Sequence, residues 1–248
     1  YISVDESMRK SKKYINKNFT KSKKLINFCI NNNIENFIFS STAAVYKYGL
    51  KKNNEKSKIQ PSNPYGESKY LTEKYIGKMK GLTKFCILRY FNVAGASKNL
   101  LNGQNSKKKA SHLIKKIIET ILSSKTFYIN GNDYDTKDGT AVRDFIHIQD
   151  LSDIHLKILN YLKIRPSSST TIFNCGYGKG FSVLDVVKSA QKITHFTYKF
   201  KNRRPGDIPS VIACNAKLKK KLNWKPKYNS LNKIITSALK WQKKLKKK

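Results

Sequence analysis

Tyr65 and Lys69, four residues apart in Tyr65-Gly-Glu-Ser-Lys69, are the side chains of this sequence best spaced to move a proton. Residues four apart on a helix share a face, so the Lys69 ammonium would stand beside the Tyr65 hydroxyl. A nearby cation favours the phenolate and lowers a tyrosine pKa. Just upstream, Ser62-Asn63-Pro64 reads as a helix start, with cap residues followed by proline at the first helical position. Tyr65 would then lie in the first turn, where the positive end of the helix dipole also favours an anion. A tyrosine tuned in this way can work as a base near neutral pH. Alone, such a pair is ordinary packing, so its surroundings decide its weight.

Those surroundings supply a hydroxyl. Ser40-Ser41-Thr42 closes the apolar run Asn-Phe-Ile-Phe-Ser-Ser, which reads as a strand buried on both faces. A hydroxyl at the C-terminal end of a parallel strand points into a ligand crevice, which places Thr42 to bridge a substrate and Tyr65. The competing role for Thr42 is a capping hydroxyl that satisfies local backbone.

The elements that must position these groups follow from periodicity. Tyr14, Ile15, Leu25, Ile26, Phe28, Cys29 and Ile30 recur at helical spacing over residues 8–33, and the cluster Asn31-Asn32-Asn33 ends that helix. The strand near 36–41 follows, then a helix from Pro64 to about Met79, then a buried strand over 84–91. Beyond Asn92 come a polar stretch to Lys109 and a helix near His112–Ser123. A short strand over 127–129 leads to a loop, a strand from Arg143 and a helix from Asp150 to about Lys163. A strand over 171–175, a Gly-rich turn and a helix near Ser182–Ile193 complete the pattern. Helix and strand alternate as in an α/β fold with a doubly wound, Rossmann-like parallel sheet. The expected division is 1–92 for that sheet and its proton-moving residues, and 93–248 mainly for a smaller C-terminal α/β substrate-binding domain.

Composition bounds the rest. The 248 residues permit one large domain or two small ones. No apolar run approaches the ~20 residues that span a bilayer. Cys29, Cys86, Cys175 and Cys214 show no CxxC spacing, as for free thiols in a reducing cytoplasm. His147 and His155 lie without a third ligand at metal spacing, so no metal is expected. Gly176, Gly178 and Gly180 do not match G-x-G-x-x-G and read as a tight turn. The net charge of +36 has two competing explanations. Nearly all the cations are lysines spread along the chain, alongside abundant Asn and Ile, the residues that AT-rich codons specify. That favours compositional drift over affinity for a polyanion, and no specific nucleic acid is expected. The end Trp-Gln-Lys-Lys-Leu-Lys-Lys-Lys reads as a frayed, solvated terminus.

Asn-Phe-Ile-Phe-Ser-Ser-Thr-Ala-Ala-Val-Tyr, Asn-Pro-Tyr-Gly-Glu-Ser-Lys and Leu-Arg-Tyr-Phe-Asn-Val-Ala-Gly-Ala together resemble the core of the extended short-chain dehydrogenase/reductases. The segment from Gly131 to Leu151 resembles a long signature of the UDP-hexose 4-epimerases within that group, as do Arg-Arg-Pro-Gly-Asp-Ile-Pro-Ser and Asn-Cys-Gly-Tyr-Gly-Lys-Gly-Phe-Ser. The resemblance covers nearly the whole chain. It implies a catalytic set of Thr42, Tyr65 and Lys69, and NAD as cofactor, with Asn18 and Phe91 near it beside that set. It also implies a UDP-sugar site of Asn92, His112, Leu113, Tyr128, Asn130, Arg143, Arg204, Asp207 and Val211, with Thr42 and Tyr65 at the sugar. Arg143 and Arg204 suit a diphosphate because guanidinium donors match phosphate oxygens. The implied reaction interconverts UDP-glucose and UDP-galactose at C4, in a cytoplasmic homodimer packed through the helices of residues 8–33 and 65–79.

One departure and two rivals qualify that expectation. The N-terminal βαβ unit of such proteins, with its Gly-rich pyrophosphate loop, is absent. About 80 residues are expected to be missing, and the chain as written is expected to be inactive alone. A nucleotide-sugar dehydratase on the same fold is the first rival, but Ala43 and Ala44 stand where related dehydratases carry Asp-Glu, and alanine transfers no proton. An inactive, lysine-rich polyanion-binding fragment is the second. Val211 is small for a position bordering the sugar 2-substituent, so N-acetylated sugars are expected to be admitted as well.

Overall fold

The computed structural model describes residues 1–49, 52–105, 112–204 and 206–247. The long N-terminal helix of the periodicity reading is broken. It runs as α1 (Val4–Arg9), α2 (Ser11–Tyr14), a widened π-turn (Ile15–Thr20) and α3 (Lys21–Asn31). Apolar spacing does not describe the break, where the buried residue is the polar Asn18. The Asn18 carbonyl lies in the widened segment and accepts from Thr72 Oγ1 at 3.2 Å, a tie to the neighbouring helix.

β1 (Asn36–Thr42) follows, and its last residue caps a single 3-10 turn, Ala43–Val45. α4 (Pro64–Ile76) begins as expected: Asn63 Oδ1 accepts from Gly66 N at 2.9 Å, and Pro64 occupies the first helical position. β2 (Lys84–Tyr90) pairs in parallel with β1, setting Thr42 opposite Tyr90. The chain then crosses through buried Phe91 into β3 (Asn92–Ala94).

Past β3 lie α5 (Leu113–Leu122), β4 (Phe127–Asn130), β5 (Val142–His147) and α6 (Ile148–Lys163). The end of the expected polar stretch, residues 106–109, lies outside the described residues. β6 (Thr170–Cys175) then returns to pair with β2, giving a parallel sheet of order β1-β2-β6. Ile26, Phe39, Ile76, Phe85 and Ile87 pack on one face of this sheet, under α3 and α4. Leu88, Phe173, Leu151, Ile154, Ile158, Leu218 and Trp224 pack on the other. Helices on both faces make the sheet doubly wound.

The remaining elements are β7 (Gly180–Ser182), α7 (Val183–Gln191), β8 (Tyr198–Lys201), β9 (Ser210–Val211), α8 (Ala216–Leu222) and α9 (Leu231–Lys246). β3, β5 and β7 form a second sheet, with β9 also on β5, while β4 pairs in parallel with β8. A separate core joins α5, α7 and α9 to β4 and β5 through Ile117, Ile118, Ile129, Phe145, Val187 and Ile234. The C-terminal segment departs from the frayed terminus expected of it. Leu239 and Trp241 are buried, and Trp241 Nε1 donates to Gln104 O at 3.1 Å, so the lysines ride on a docked amphipathic helix.

Candidate active site

The C-terminal ends of β1 and β2 open onto a cleft of about 460 Å³ between the two sheets. On the β1 side stand Thr42 and Tyr65. Thr42 Oγ1 accepts from Ala44 N at 3.2 Å, so the threonine caps the 3-10 turn and faces Tyr65 as well. Gly66 lets this geometry exist, because a Cβ there would lie 2.3 Å from the Ala44 carbonyl oxygen. The first turn of α4 therefore presses directly on the backbone that follows Thr42.

The spacing argument expects a lowered Tyr65 pKa. In the structure burial pushes it up, and the hydrogen-bonding influence of Thr42 pulls it back. Lys69 Nζ donates to the Ser40 carbonyl at 2.9 Å and sits 5.0 Å from the centre of the Phe39 ring. Its pKa is lowered by burial.

Across the cleft the register sets the rest. Parallel pairing places Arg143 of β5 opposite Val211 of β9, and Asn92 of β3 opposite Phe145. Asn92, His112, Leu113, Tyr128, Asn130, Arg143, Arg204, Asp207 and Val211 all line the cleft, as does Phe91. Arg143 Nη2 meets Asp207 Oδ1 at 2.5 Å, and Nη1 donates to Val142 O at 2.9 Å. With its amide oxygen turned toward Arg204, Asn130 accepts from Nη2 and Nε at 3.1 and 3.2 Å. Beside it, Arg203 lies 4.2 Å from the Tyr134 ring centre and pairs with Asp133 at 2.7 Å, anchoring the segment that carries Arg204. His112 Nδ1 meets Gln104 Nε2 at 2.8 Å, and burial, then Lys115, lowers its pKa.

Two of the sequence-derived residues stand off this surface. Lys69 is turned to the β1 backbone. Asn18 is buried, donating to Ser68 Oγ at 3.1 Å and to Tyr1 O at 2.9 Å. Conversely, Lys116 lines the cleft and escaped the sequence reading. Its signal was helical spacing, since it falls one turn beyond His112 and Leu113.

A model of the NAD dependent epimerase/dehydratase family matches residues 1–176. The chain belongs to that family. A UDP-glucose 4-epimerase of Azospirillum brasilense is 40% identical over 253 residues, covering 98% of this chain and 71% of that protein. A UDP-glucose 4-epimerase structure from Stenotrophomonas maltophila, with bound NAD and formylated UDP-arabinopyranose, has a TM-score of 0.94 at 27% identity. It covers all of this chain, and 75% of its own length is matched. The UDP-Glc/GlcNAc 4-epimerase of Campylobacter jejuni is 40% identical with a TM-score of 0.80, over 98% of this chain and 75% of that one.

The family's cofactor can be tested against the donors present. Thr42, Tyr65 and Lys69 bring two hydroxyls and an ammonium to the C-terminal edge of a parallel sheet. That set fits the ribose hydroxyls and carboxamide end of a nicotinamide nucleotide, at the edge where open α/β sheets take such ligands.

Proposed function

We propose that this member of the epimerase/dehydratase family interconverts UDP-glucose and UDP-galactose by oxidation and reduction at sugar C4. The observation that carries the reading is one cleft holding Thr42 and Tyr65 on one wall and Arg143 and Arg204 on the other. The guanidiniums suit a diphosphate, and Asp207 suits a ribose hydroxyl. Tyr65 takes the proton of the sugar 4-hydroxyl, directly or through Thr42. When bound, NAD supplies hydride exchange at that carbon. Lys69 stands one helical turn from Tyr65 and, on leaving the Ser40 carbonyl, would offer its ammonium to the nicotinamide ribose. Diphosphate binding is common to both sugars, so Arg143 and Arg204 would anchor the nucleotide whichever face of C4 is presented. Tyr65 then returns the proton to the 4-oxygen. Ala43 and Ala44, beside Thr42, offer no acid to expel a C6 hydroxyl, which sets the reading apart from dehydration.

Tyr65→Phe removes the base and keeps the ring. In the NAD-loaded enzyme, epimerisation is expected to fall by about two orders of magnitude or more. UDP binding, measured by calorimetry, is expected to persist. Near-normal turnover would end the mechanism.

The assembly proposed is a cytoplasmic homodimer. Met8, Leu25 and Phe28 are exposed on the N-terminal helices, the apolar surface a partner would cover. No helix among the described residues is long and apolar enough to cross a membrane. Equilibrium sedimentation giving a monomer mass at micromolar concentration would remove the dimer from the reading.

A further inference from the structure

Beneath the cleft lies a buried polar network that the mechanism above leaves unused. Glu73, on α4, falls one helical turn beyond Lys69 and two beyond Tyr65, so the three share a face. That face meets the last three residues of β1 in turn. Lys69 Nζ donates to Ser40 O at 2.9 Å, Ser41 Oγ donates to Glu73 Oε1, and Thr42 lines the cleft wall with Tyr65. The middle contact is the sealed one. Glu73 is 5% exposed, Ser41 2% and Arg89 3%.

Arg89 grips the same carboxylate from β2. Its Nη2 lies 2.6 Å from Glu73 Oε2, and its Nε lies 3.1 and 3.2 Å from the two carboxylate oxygens. Its Nη1 donates to Tyr46 OH at 3.0 Å, and that hydroxyl donates to Asn174 Oδ1 of β6 at 2.6 Å. One carboxylate thus ties α4 to β1 and β2, and through Tyr46 to the turn after Thr42 and to β6. A buried ion pair often adds little net stability, and it is a costly way to fill a core. What it supplies is direction, because a bidentate guanidinium–carboxylate pair has one good geometry.

We infer that Glu73, held by Arg89, is a positioning residue for the reaction, locking the strand that carries Thr42 to the helix that carries Tyr65 and Lys69. This rests on the catalytic reading of Tyr65 given above. Displacement of a reacting group by about 1 Å can cost about a hundredfold in rate. The tie should therefore show in the chemical step rather than in nucleotide binding, whose residues lie on the other wall.

The test uses Ser41→Ala, Glu73→Gln and, as a control, Tyr65→Phe in the NAD-loaded enzyme. Ser41→Ala removes one hydroxyl and leaves the ion pair intact, so it decides the matter even where Glu73→Gln fails to fold. Ser41→Ala is expected to lower kcat about tenfold, and Glu73→Gln more, with KM for the UDP-sugar and the Kd for UDP held within about twofold. Tyrosinate absorbance, taken as the difference from each variant's Tyr65→Phe partner, should place Tyr65 ionisation at higher pH, since a slack β1 carries Thr42 away from Tyr65 and removes the influence that lowers its pKa. The acid limb of the kcat profile should move the same way. If Ser41→Ala keeps kcat and the Tyr65 titration while only its melting temperature falls, the network is structural and the inference fails. If Tyr65→Phe itself turns over normally, the catalytic reading fails instead.

Discussion

At the scale of single residues, motif and environment carry different information. The Tyr65–Lys69 spacing announces a helix face, and Thr42 announces a strand end. Neither says where the Lys69 ammonium goes, because the Ser40 carbonyl that receives it is a backbone atom 29 positions away. Glu73 and Arg89 were illegible for a related reason: nothing in the sequence pairs a helix carboxylate with a guanidinium 16 positions on, inside a strand read as buried. Val211 shows how far a residue reading can be tested. It lines the cleft and pairs with Arg143 in the β5–β9 ladder, so a small side chain stands beside the arginine proposed for the diphosphate. Acceptance of UDP-N-acetylglucosamine is therefore proposed alongside UDP-glucose. Val211→Tyr is expected to depress kcat/KM for the acetylated sugar by about tenfold or more relative to the plain one, since a misfit side chain in a pocket costs about 1–3 kcal/mol. If both sugars change equally in competition assays, Val211 does not border the 2-substituent.

Elements were legible where they are long. β1, α4, β2, α6 and β6 stand close to where periodicity and caps placed them. β3, β7 and β8 were not foreseen, because strands of three or four residues carry little alternation; β4, equally short, registered through its apolar run. The contact between elements was less legible still. Gly66 looks like a poor helix residue, yet it is the point where α4 presses on the turn after β1. Gly66→Ala should raise intrinsic helix propensity and still destabilise the protein. A Cβ 2.3 Å from a backbone oxygen forces α4 outward, at a cost of about 1–3 kcal/mol. The denaturant midpoint should fall at unchanged m-value, and turnover should fall with it, because Tyr65 is the neighbouring residue. A gain in stability would show that the turn yields freely.

At the scale of the molecule, two buried ionisable groups bend the pH dependence of folding in opposite directions. His147 is 1% exposed; its Nδ1 accepts from Gln149 N at 3.0 Å, and its ring stacks on Tyr228. Burial holds its pKa below the ordinary value, with Asp150 opposing and Lys233 assisting. The unfolded chain therefore takes up a proton that the folded chain refuses. This contribution is present above about pH 6.5 and is lost as pH falls below it. Asp144 is pushed up to about 6 by burial, against backbone hydrogen bonds from Tyr177, Gly178 and Ala213. The folded chain keeps that proton longer, so its contribution is present below the unfolded value and fades as pH rises through about 6. His147→Asn keeps a cap acceptor and removes the titration, so melting temperatures should lose less between about pH 6.5 and 5 than in the parent. An unaltered slope would place the acid sensitivity elsewhere. The net charge of +36 gives the Arg143–Asp207 pair a meaning beyond geometry. Stray phosphates and polyphosphates are drawn to so cationic a surface wherever they come from. One of the two guanidiniums proposed for the diphosphate is paired with a carboxylate of its own chain. An intruding anion must displace that carboxylate, whereas a nucleotide can offer it a ribose hydroxyl in exchange, so the latch favours the ligand that engages both partners at once.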